Sequence, residues 1–378
     1  MRKFLLIPDS FKGTMTSEEI CSIMEKAILE NYSDATVISI PVADGGEGSV
    51  AAFLKAVGGE KITVTVKDPY FEDMEAFYGI INNGNTAVIE MAACAGLPLV
   101  ENNPNPCITT TYGVGQLMEH AIQRGCRKII MGLGGSCTND AGTGAAAALG
   151  IVFTDSNGKS FVPVGGTLKD IAHIDTSKLL PFLKDIELIT MCDIDNPLYG
   201  ENGAAYIFGP QKGATSNMVK ELDAGLRHLD QVIQADLSLS LGDLKGAGAA
   251  GGMGCGMVAF FGTSLQMGIE TVLDAVKFDE LLKDTDYVLS GEGKIDTQSI
   301  RGKVVIGIAN RTKKAHVPLI AIVGDIGDGI EEAYEKGVSG IFSINRVAVE
   351  YKDAKKRAKQ DLYLTVDNLM RYMKVLEK

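Results

Sequence analysis

The chain's pattern predicts two α/β domains, one of them discontinuous, and three observations carry that prediction. Short apolar runs ending in polar, glycine-bearing loops occur at both ends: Phe4–Ile7 and Thr36–Ile40 near the start, and Tyr287–Leu289, Pro318–Val323 and Gly340–Ile344 near the end. The middle has a different texture, with alternating runs Lys61–Lys67, Glu75–Ile81 and Thr86–Met91 that read as antiparallel strands. At 378 residues, 46% of them apolar, the chain is long enough for two cores. Two βα units alone cannot cover both faces of a parallel sheet. Residues 1–44 and 285–378 are therefore expected to form one five-stranded parallel-sheet domain. Residues 45–284 are expected to form a second, mixed α/β domain inserted into it, with the polar loops facing each other across a cleft.

Each element has a local reason. After Phe4–Ile7, Thr16 and Glu19 form a capping box, and Ile20, Ile23, Met24, Ala27 and Ile28 follow at helical spacing. Thr36–Ile40 ends at Pro41-Val42-Ala43-Asp44-Gly45-Gly46. Asn82-Asn83-Gly84-Asn85 supplies the turn of a hairpin. Thr111 begins a helix carrying Leu117, Met118, Ala121 and Ile122. Ile129-Ile130-Met131 is a buried strand, and Thr154–Lys159 is a hairpin tip between Phe153 and Phe161. Glu187–Met191 is a strand leading into Cys192-Asp193-Ile194-Asp195-Asn196-Pro197. Ser216 is expected to cap a long helix whose buried stripe is Met218, Leu222, Leu229 and Ile233. The charge-free stretch Gly246–Ile269 holds eight glycines, so it reads as loop and buried core and not as a membrane span.

Composition narrows the function. The formal net charge of −12 argues against nucleic acid or an anionic membrane as partner. It leaves room for a small anionic substrate held by a local positive patch. Seven cysteines lack any CxxC pair, and four histidines form no metal-binding spacing, so reduced thiols in a cytoplasmic protein are expected and zinc is not. Glycine stands out at 44 residues, against a usual share of about 7%. These glycines sit among β-branched runs and helical patterns, which points to tight loops and not to disorder.

The stretch Lys128–Leu149, KIIMGLGGSCTNDAGTGAAAAL, organises the functional reading. Strand, glycine loop and helix form the layout of an anion site, because glycines let backbone N–H groups approach a phosphate. Gly134, Gly135, Ser136, Thr138, Asn139 and Asp140 are the candidates there. The bland alternative is a βα turn in which Ser136 or Asn139 merely caps the helix. Acidic residues recur at other strand ends: Asp9, Asp44, Asp193, Asp195, Glu292 and Asp296. Carboxylates bind Mg²⁺ alongside substrate phosphates, and one can accept the proton of an attacking hydroxyl. Asp193 and Asp195 fall on one side of the chain if it stays extended, as Pro197 favours at Asn196. Lys12, Lys212, Lys294 and Lys303 sit beside glycines, where phosphate charge would need neutralising, and Arg301 or Arg346 would clamp a substrate carboxylate. Any one of these lysines, taken alone, reads better as solvated surface. No P-loop is present, since Gly158-Lys159-Ser160 has Phe153 where glycine is required. Gly246–Gly251 matches GxGxxG in a poor context for a dinucleotide fold, leaving a phosphate-contacting loop as its functional reading.

Seven blocks together resemble the signature of the bacterial glycerate kinase family: PDSFKG (8–13), PVADGGEG (41–48), GLGGSCTNDAGTG (132–144), CDIDNPLYGENGA (192–204), FGPQKGA (208–214), GAGAAGGMG (246–254) and GEGKIDTQSIRGK (291–303). They span nearly the whole chain in the expected order, with Cys137 standing where alanine is expected. The resemblance implies a discontinuous Rossmann-like domain around a second α/β domain, with ATP, Mg²⁺ and D-glycerate as ligands. The product would be 2-phosphoglycerate in preference to 3-phosphoglycerate. On the chemistry, Asp193 and Asp195 are expected to act as base or Mg²⁺ carboxylates and Lys12 and Lys294 to balance charge. Ser10, Asp44, Gly134, Gly135, Ser136, Thr138, Asn139, Asp140, Glu292, Asp296 and Arg301 are expected to bind substrate and phosphate. Gly134→Ala is expected to weaken substrate binding while the fold persists. One rival reading is a kinase of another sugar acid or polyol. Another, of a different class, is a non-catalytic nucleotide or anion sensor, which predicts ligand-induced stabilisation without ADP release.

Overall fold

The computed structural model describes the chain except residues 43, 44, 47, 180–182, 184, 298, 300–302 and 378, so the expectations for Asp44 and Arg301 fall outside the described residues. The chain divides into two compact units, Met1–Ala43 with Lys55–Val57 and Ile269–Lys378, and Asp44–Leu54 with Gly58–Gly268.

The first unit is built on a five-stranded parallel sheet in the order Val338–Ser343, Leu319–Val323, Tyr287–Ser290, Lys3–Leu6, Thr36–Ser39. Phe4 lies opposite Tyr287 and Leu6 opposite Leu289, so the two ends of the chain meet in the middle of the sheet. These strands read as continuous apolar runs because both faces are covered. Phe4 and Leu6 pack with Ile20, Met24, Leu362 and Met370 of the helices Ser17–Asn31 and Tyr351–Leu376. The intervening Leu5, which the pleat turns to the opposite face, is also fully buried. The helix Val304–Ala315 packs against the three strands Tyr287–Ser290, Leu319–Val323 and Val338–Ser343. The capping box at Thr16 is formed: its hydroxyl accepts the Glu19 N–H at 3.2 Å and the Glu19 carboxylate accepts the Thr16 N–H at 3.0 Å.

The second unit carries a six-stranded mixed sheet in the order Ser264–Gln266, Glu187–Met191, Lys128–Gly132, Thr86–Glu90, Asp73–Ile81, Glu60–Lys67. The first four run parallel, and the last two add on as antiparallel hairpin strands. The central strand Lys128–Gly132 is thus flanked on both sides by parallel neighbours, whose carboxyl ends lie together. The tip Thr154–Lys159 is a hairpin as expected, with Asp155 accepting the N–H groups of Asn157 and Lys159, both at 2.9 Å.

Two local expectations are corrected. The stretch read as loop and buried core contains the helix Ala249–Phe261, entered through three left-handed residues, Ala250, Gly251 and Gly252. A Cβ on Gly251 would lie 2.0 Å from the carbonyl oxygen of Thr138, so glycine here admits a backbone-to-backbone contact with the polar turn. Gly251 of the GxGxxG match is therefore a packing position. The long helix Ser216–Leu237 is capped by Thr215, not Ser216, because Thr215 is the residue that keeps extended φ/ψ and its hydroxyl accepts the Met218 N–H. Among the described residues no helix is long and apolar enough to cross a membrane.

The junction of chain start and chain end is testable. Leu289 is fully buried in the strand paired with Lys3–Leu6. Leu289→Ala should lower unfolding free energy by ~2–5 kcal/mol, read by urea denaturation. A loss below ~1 kcal/mol would show that this pairing is not part of the core.

Candidate functional site

The turn between the strand Lys128–Gly132 and the helix Thr143–Ala148 is held from within by Asp140. Its carboxylate is fully buried and accepts four bonds: from the Thr111 N–H and hydroxyl, both at 2.8 Å, from Gly142 N–H at 3.2 Å and from Gly144 N–H at 3.4 Å. Burial pushes this carboxyl up from the ordinary range, and the four donors pull it back towards the ionised form. Asp140, expected to touch substrate, is thereby committed to holding the turn. Backbone bonds finish the job: Cys137 N–H to Ala95 at 2.9 Å, Leu97 N–H to Gly135 at 2.9 Å, and Gly134 N–H to Gly45 at 3.0 Å.

The remaining side chains of the turn are not helix caps. The residue preceding the helix is Gly142, with no side-chain cap bond. Ser136 instead accepts a hydrogen bond from Lys212 Nζ at 2.7 Å, and the Thr138 carbonyl accepts another from the same ammonium at 2.6 Å. Thr138 Oγ1 and both amide atoms of Asn139 are buried with no hydrogen-bond partner among the described residues. Natural proteins rarely leave such groups unpaired, so they mark a place where a ligand or water belongs.

A pocket of about 210 Å³ opens beside this turn, lined by Gly134, Gly135, Ser136, Asp193, Gln211 and Lys212 among others. Asp193 follows the strand Glu187–Met191, and its Oδ1 accepts the Gly268 N–H at 2.8 Å. Asp195 is exposed and does not line the pocket. The turn and Asp193 are brought together because their two strands are parallel neighbours, with Met191 opposite Gly132.

A second polar group forms in the first unit at the carboxyl ends of Lys3–Leu6 and Tyr287–Ser290. Asp9 N–H bonds to Gly291 at 2.8 Å, and Asp9 Oδ1 accepts the Ser10 N–H at 2.7 Å. Glu292 is buried, with one oxygen accepting from Ser299 at 3.1 Å and the other without a partner among the described residues. Desolvation pushes its carboxyl up to about 7, reinforced by Asp9 and Asp296 and opposed by Ser299 and Lys303. Lys294 is exposed and pairs with Asp296 at 3.8 Å, and Lys12 is exposed on the loop after the first strand. Among the described residues there is no cluster of three or more acidic, histidine or cysteine side chains able to hold a metal ion.

Lys212 is the residue that pattern reading undervalued. A lone lysine reads as surface, yet this one is 2% exposed. Its position inside FGPQKGA was the available signal, since a short turn at Pro210–Lys212 followed by left-handed Gly213 fixes where the side chain goes.

Gly134 also corrects an expectation. A Cβ there would lie 2.4 Å from Gly46 Cα, which is backbone and cannot yield cheaply. Gly134→Ala should destabilise the fold by ~1–3 kcal/mol through overpacking, so a ligand effect would not be separable. Gly135 is the cleaner probe: it has φ +75°, and its nearest atom would be Ala92 Cβ at 3.4 Å. Gly135→Ala should fold, with strain of ~1–2 kcal/mol, and weaken ligand binding measured by calorimetry; unchanged affinity would leave the turn purely structural. Glu292 gives a pH test. Its folded-state value lies above the ordinary 4.5, so the stability it contributes is present below pH 4.5 and lost as pH rises through about 7. Glu292→Gln should therefore gain on the wild type across that window, by on the order of 3 kcal/mol above it. Parallel denaturation curves at pH 5 and pH 8 check this, and a constant difference would refute the assignment.

Comparison with known proteins converges on one family. The chain matches the Glycerate kinase family over residues 4–374. It is 44% identical to a glycerate kinase of Halalkalibacterium halodurans over 91% of each chain. It is also 44% identical to a protein of Escherichia coli named glycerate 2-kinase, over 90% of each. A crystal structure from Salmonella typhimurium, described as glycerate kinase 2, superposes with a TM-score of 0.86 at 39% identity, covering 100% of this chain and 99% of that one. The polar turn, the strand-end carboxylates and the order of the sequence blocks thus lie in a chain that belongs to the glycerate kinase family.

Proposed function

We propose that this phosphotransferase moves the γ-phosphoryl group of ATP to D-glycerate, forming 2-phosphoglycerate. The observation that carries the reading is the juxtaposition of a glycine-lined turn with a strand-end carboxylate in one pocket: Gly134, Gly135 and Ser136 beside Asp193. Phosphoryl transfer needs positioning and charge neutralisation more than covalent chemistry. The hydroxyl at carbon 2 is favoured because the Escherichia coli relative, 44% identical, is named a glycerate 2-kinase.

Asp193 is the base in this reading. It lines the pocket, and its tie to the Gly268 N–H orients the carboxylate without burying it. A carboxylate so held can accept the proton of an attacking hydroxyl. Lys12 and Lys294 are assigned to charge neutralisation on their chemistry. Mg²⁺ fits this residue set as an ion arriving on the nucleotide, because it keeps several waters and needs only one or two carboxylates beside phosphate oxygens. Asp193 in the pocket is the residue that would hold it, with the exposed Asp195 outside the lining, and the bound ion would neutralise phosphate charge. We place this activity in the cytoplasm, where buried thiols such as Cys94, Cys137 and Cys255 stay reduced.

Incubation with D-glycerate and Mg-ATP, followed by ³¹P and ¹H NMR of the product, tests the reading. Phosphate on carbon 2 is expected; phosphate on carbon 3 would overturn the regiochemistry, and no ADP release would overturn the reaction. Asp193→Asn should lower kcat by roughly 10²-fold or more with little change in Tm. Activity near wild type at saturating Mg²⁺ would remove Asp193 from the role of base.

A further inference from the structure

We propose that the pocket at Lys212 is an oxyanion subsite, built to receive either the carboxylate of the small hydroxy acid or the terminal phosphate of the nucleotide. The choice between those two anions rests on the phosphotransferase reading; the existence of the subsite does not. The argument begins with a charge that lacks a counter-charge. Lys212 is 2% exposed, and its two hydrogen bonds go to neutral acceptors, the Ser136 hydroxyl at 2.7 Å and the Thr138 carbonyl at 2.6 Å. No described carboxylate lies within ion-pairing distance of its ammonium. Asp140, the carboxylate that acts on it electrostatically, is already bonded to four donors. An ammonium taken out of water without an anion is costly, and burial accordingly lowers the Lys212 pKa to about 8.

Three features show that the missing anion comes from outside. Lys212 and its acceptor Ser136 both line the pocket, so the buried lysine borders a space that a ligand can enter. Gly135 in the same lining is exposed, which leaves its backbone accessible there. The two bonds also fix the ammonium in place, so no reorganisation is needed when an anion arrives. The pocket, about 210 Å³, has room for a three-carbon hydroxy acid or a phosphate group. Asp193, also in the lining, would repel an anion placed against it, which directs the guest's charge toward Lys212 and its neutral, hydroxyl-bearing part toward the carboxylate.

The test uses the full-length protein and three probes separately: inorganic phosphate, D-glycerate and ADP, each by calorimetry at pH 7. Lys212→Met removes the charge and keeps the length of the side chain. A tenfold or greater loss of affinity for D-glycerate alone identifies the carboxylate as the guest. A loss for phosphate and ADP, with glycerate unaffected, identifies the phosphate. Unchanged affinity for all three overturns the subsite. Should that variant fail to fold, Lys212→Gln, which restores a donor to the Thr138 carbonyl, is read in the same way. In the wild type, the ¹³Cε signal of Lys212 should shift saturably with one of the probes, and no shift with any of them also overturns the proposal. Wild-type turnover is recorded on the same samples. An inactive wild type that still binds phosphate through Lys212 would refute the kinase reading and leave the subsite standing.

Discussion

Everything in the second unit that bears on chemistry depends on one buried carboxylate. Asp140 sits at the point where the central strand's trailing turn becomes a helix, and its four bonds reach both the helix start and Thr111 at the head of another helix. A buried carboxylate is tolerable only when its lone pairs are filled, and here each oxygen has donors aimed at it. Because Asp140 satisfies the local backbone, Ser136, Thr138 and Asn139 are relieved of that duty. Ser136 turns to Lys212, while Thr138 and Asn139 keep side-chain polar atoms unpaired among the described residues. The turn is thus rigid at its base and chemically open along its side chains, the combination that a preorganised site requires.

The fold class was legible because both periodicities are strong in this chain. Continuous apolar runs such as Leu319–Val323 follow from burial on both faces, and the alternating run Glu60–Lys67 follows from a half-exposed edge position in the mixed sheet. The capping box at Thr16 and the hairpin tip at Asp155 came through for the same reason: each is decided by residues within four positions of one another. The helix Ala249–Phe261 was not legible. Its glycine content argues against a helix by local propensity, and what overrides propensity is contact with the turn at Thr138–Ala141, far away in sequence.

The site was legible by residue type and much less by role. Sequence spacing brought forward the turn at residues 134–140 and the carboxylate at 193, and these do meet in space through adjacent parallel strands. It gave Asp140 and Asn139 the same standing, although the Asp140 carboxylate accepts four bonds and the Asn139 amide has no partner among the described residues. It placed Lys294 in the site and left Lys212 out, although Lys212 is 2% exposed and Lys294 is on the surface. Burial and bonding are properties of long-range packing, and a lysine carries no mark in its own neighbours of which side of the surface it will take.

Charge sharpens the point. A chain with a net charge of −12 repels small anions at long range, so recognition of an acidic substrate must be won at short range by cations placed out of water's reach. An exposed lysine contributes little in that setting because solvent and salt screen it. Among the described residues, Lys212 is the cation of the second unit whose position escapes such screening, and it is held by neutral dipoles that leave its charge uncancelled. The glycines that admit the backbone contacts around it, the carboxylate that fixes the turn, and the short turn at Pro210–Lys212 that delivers the side chain are then parts of one arrangement. That arrangement keeps a single positive charge in a small pocket, with an acid on another part of its wall.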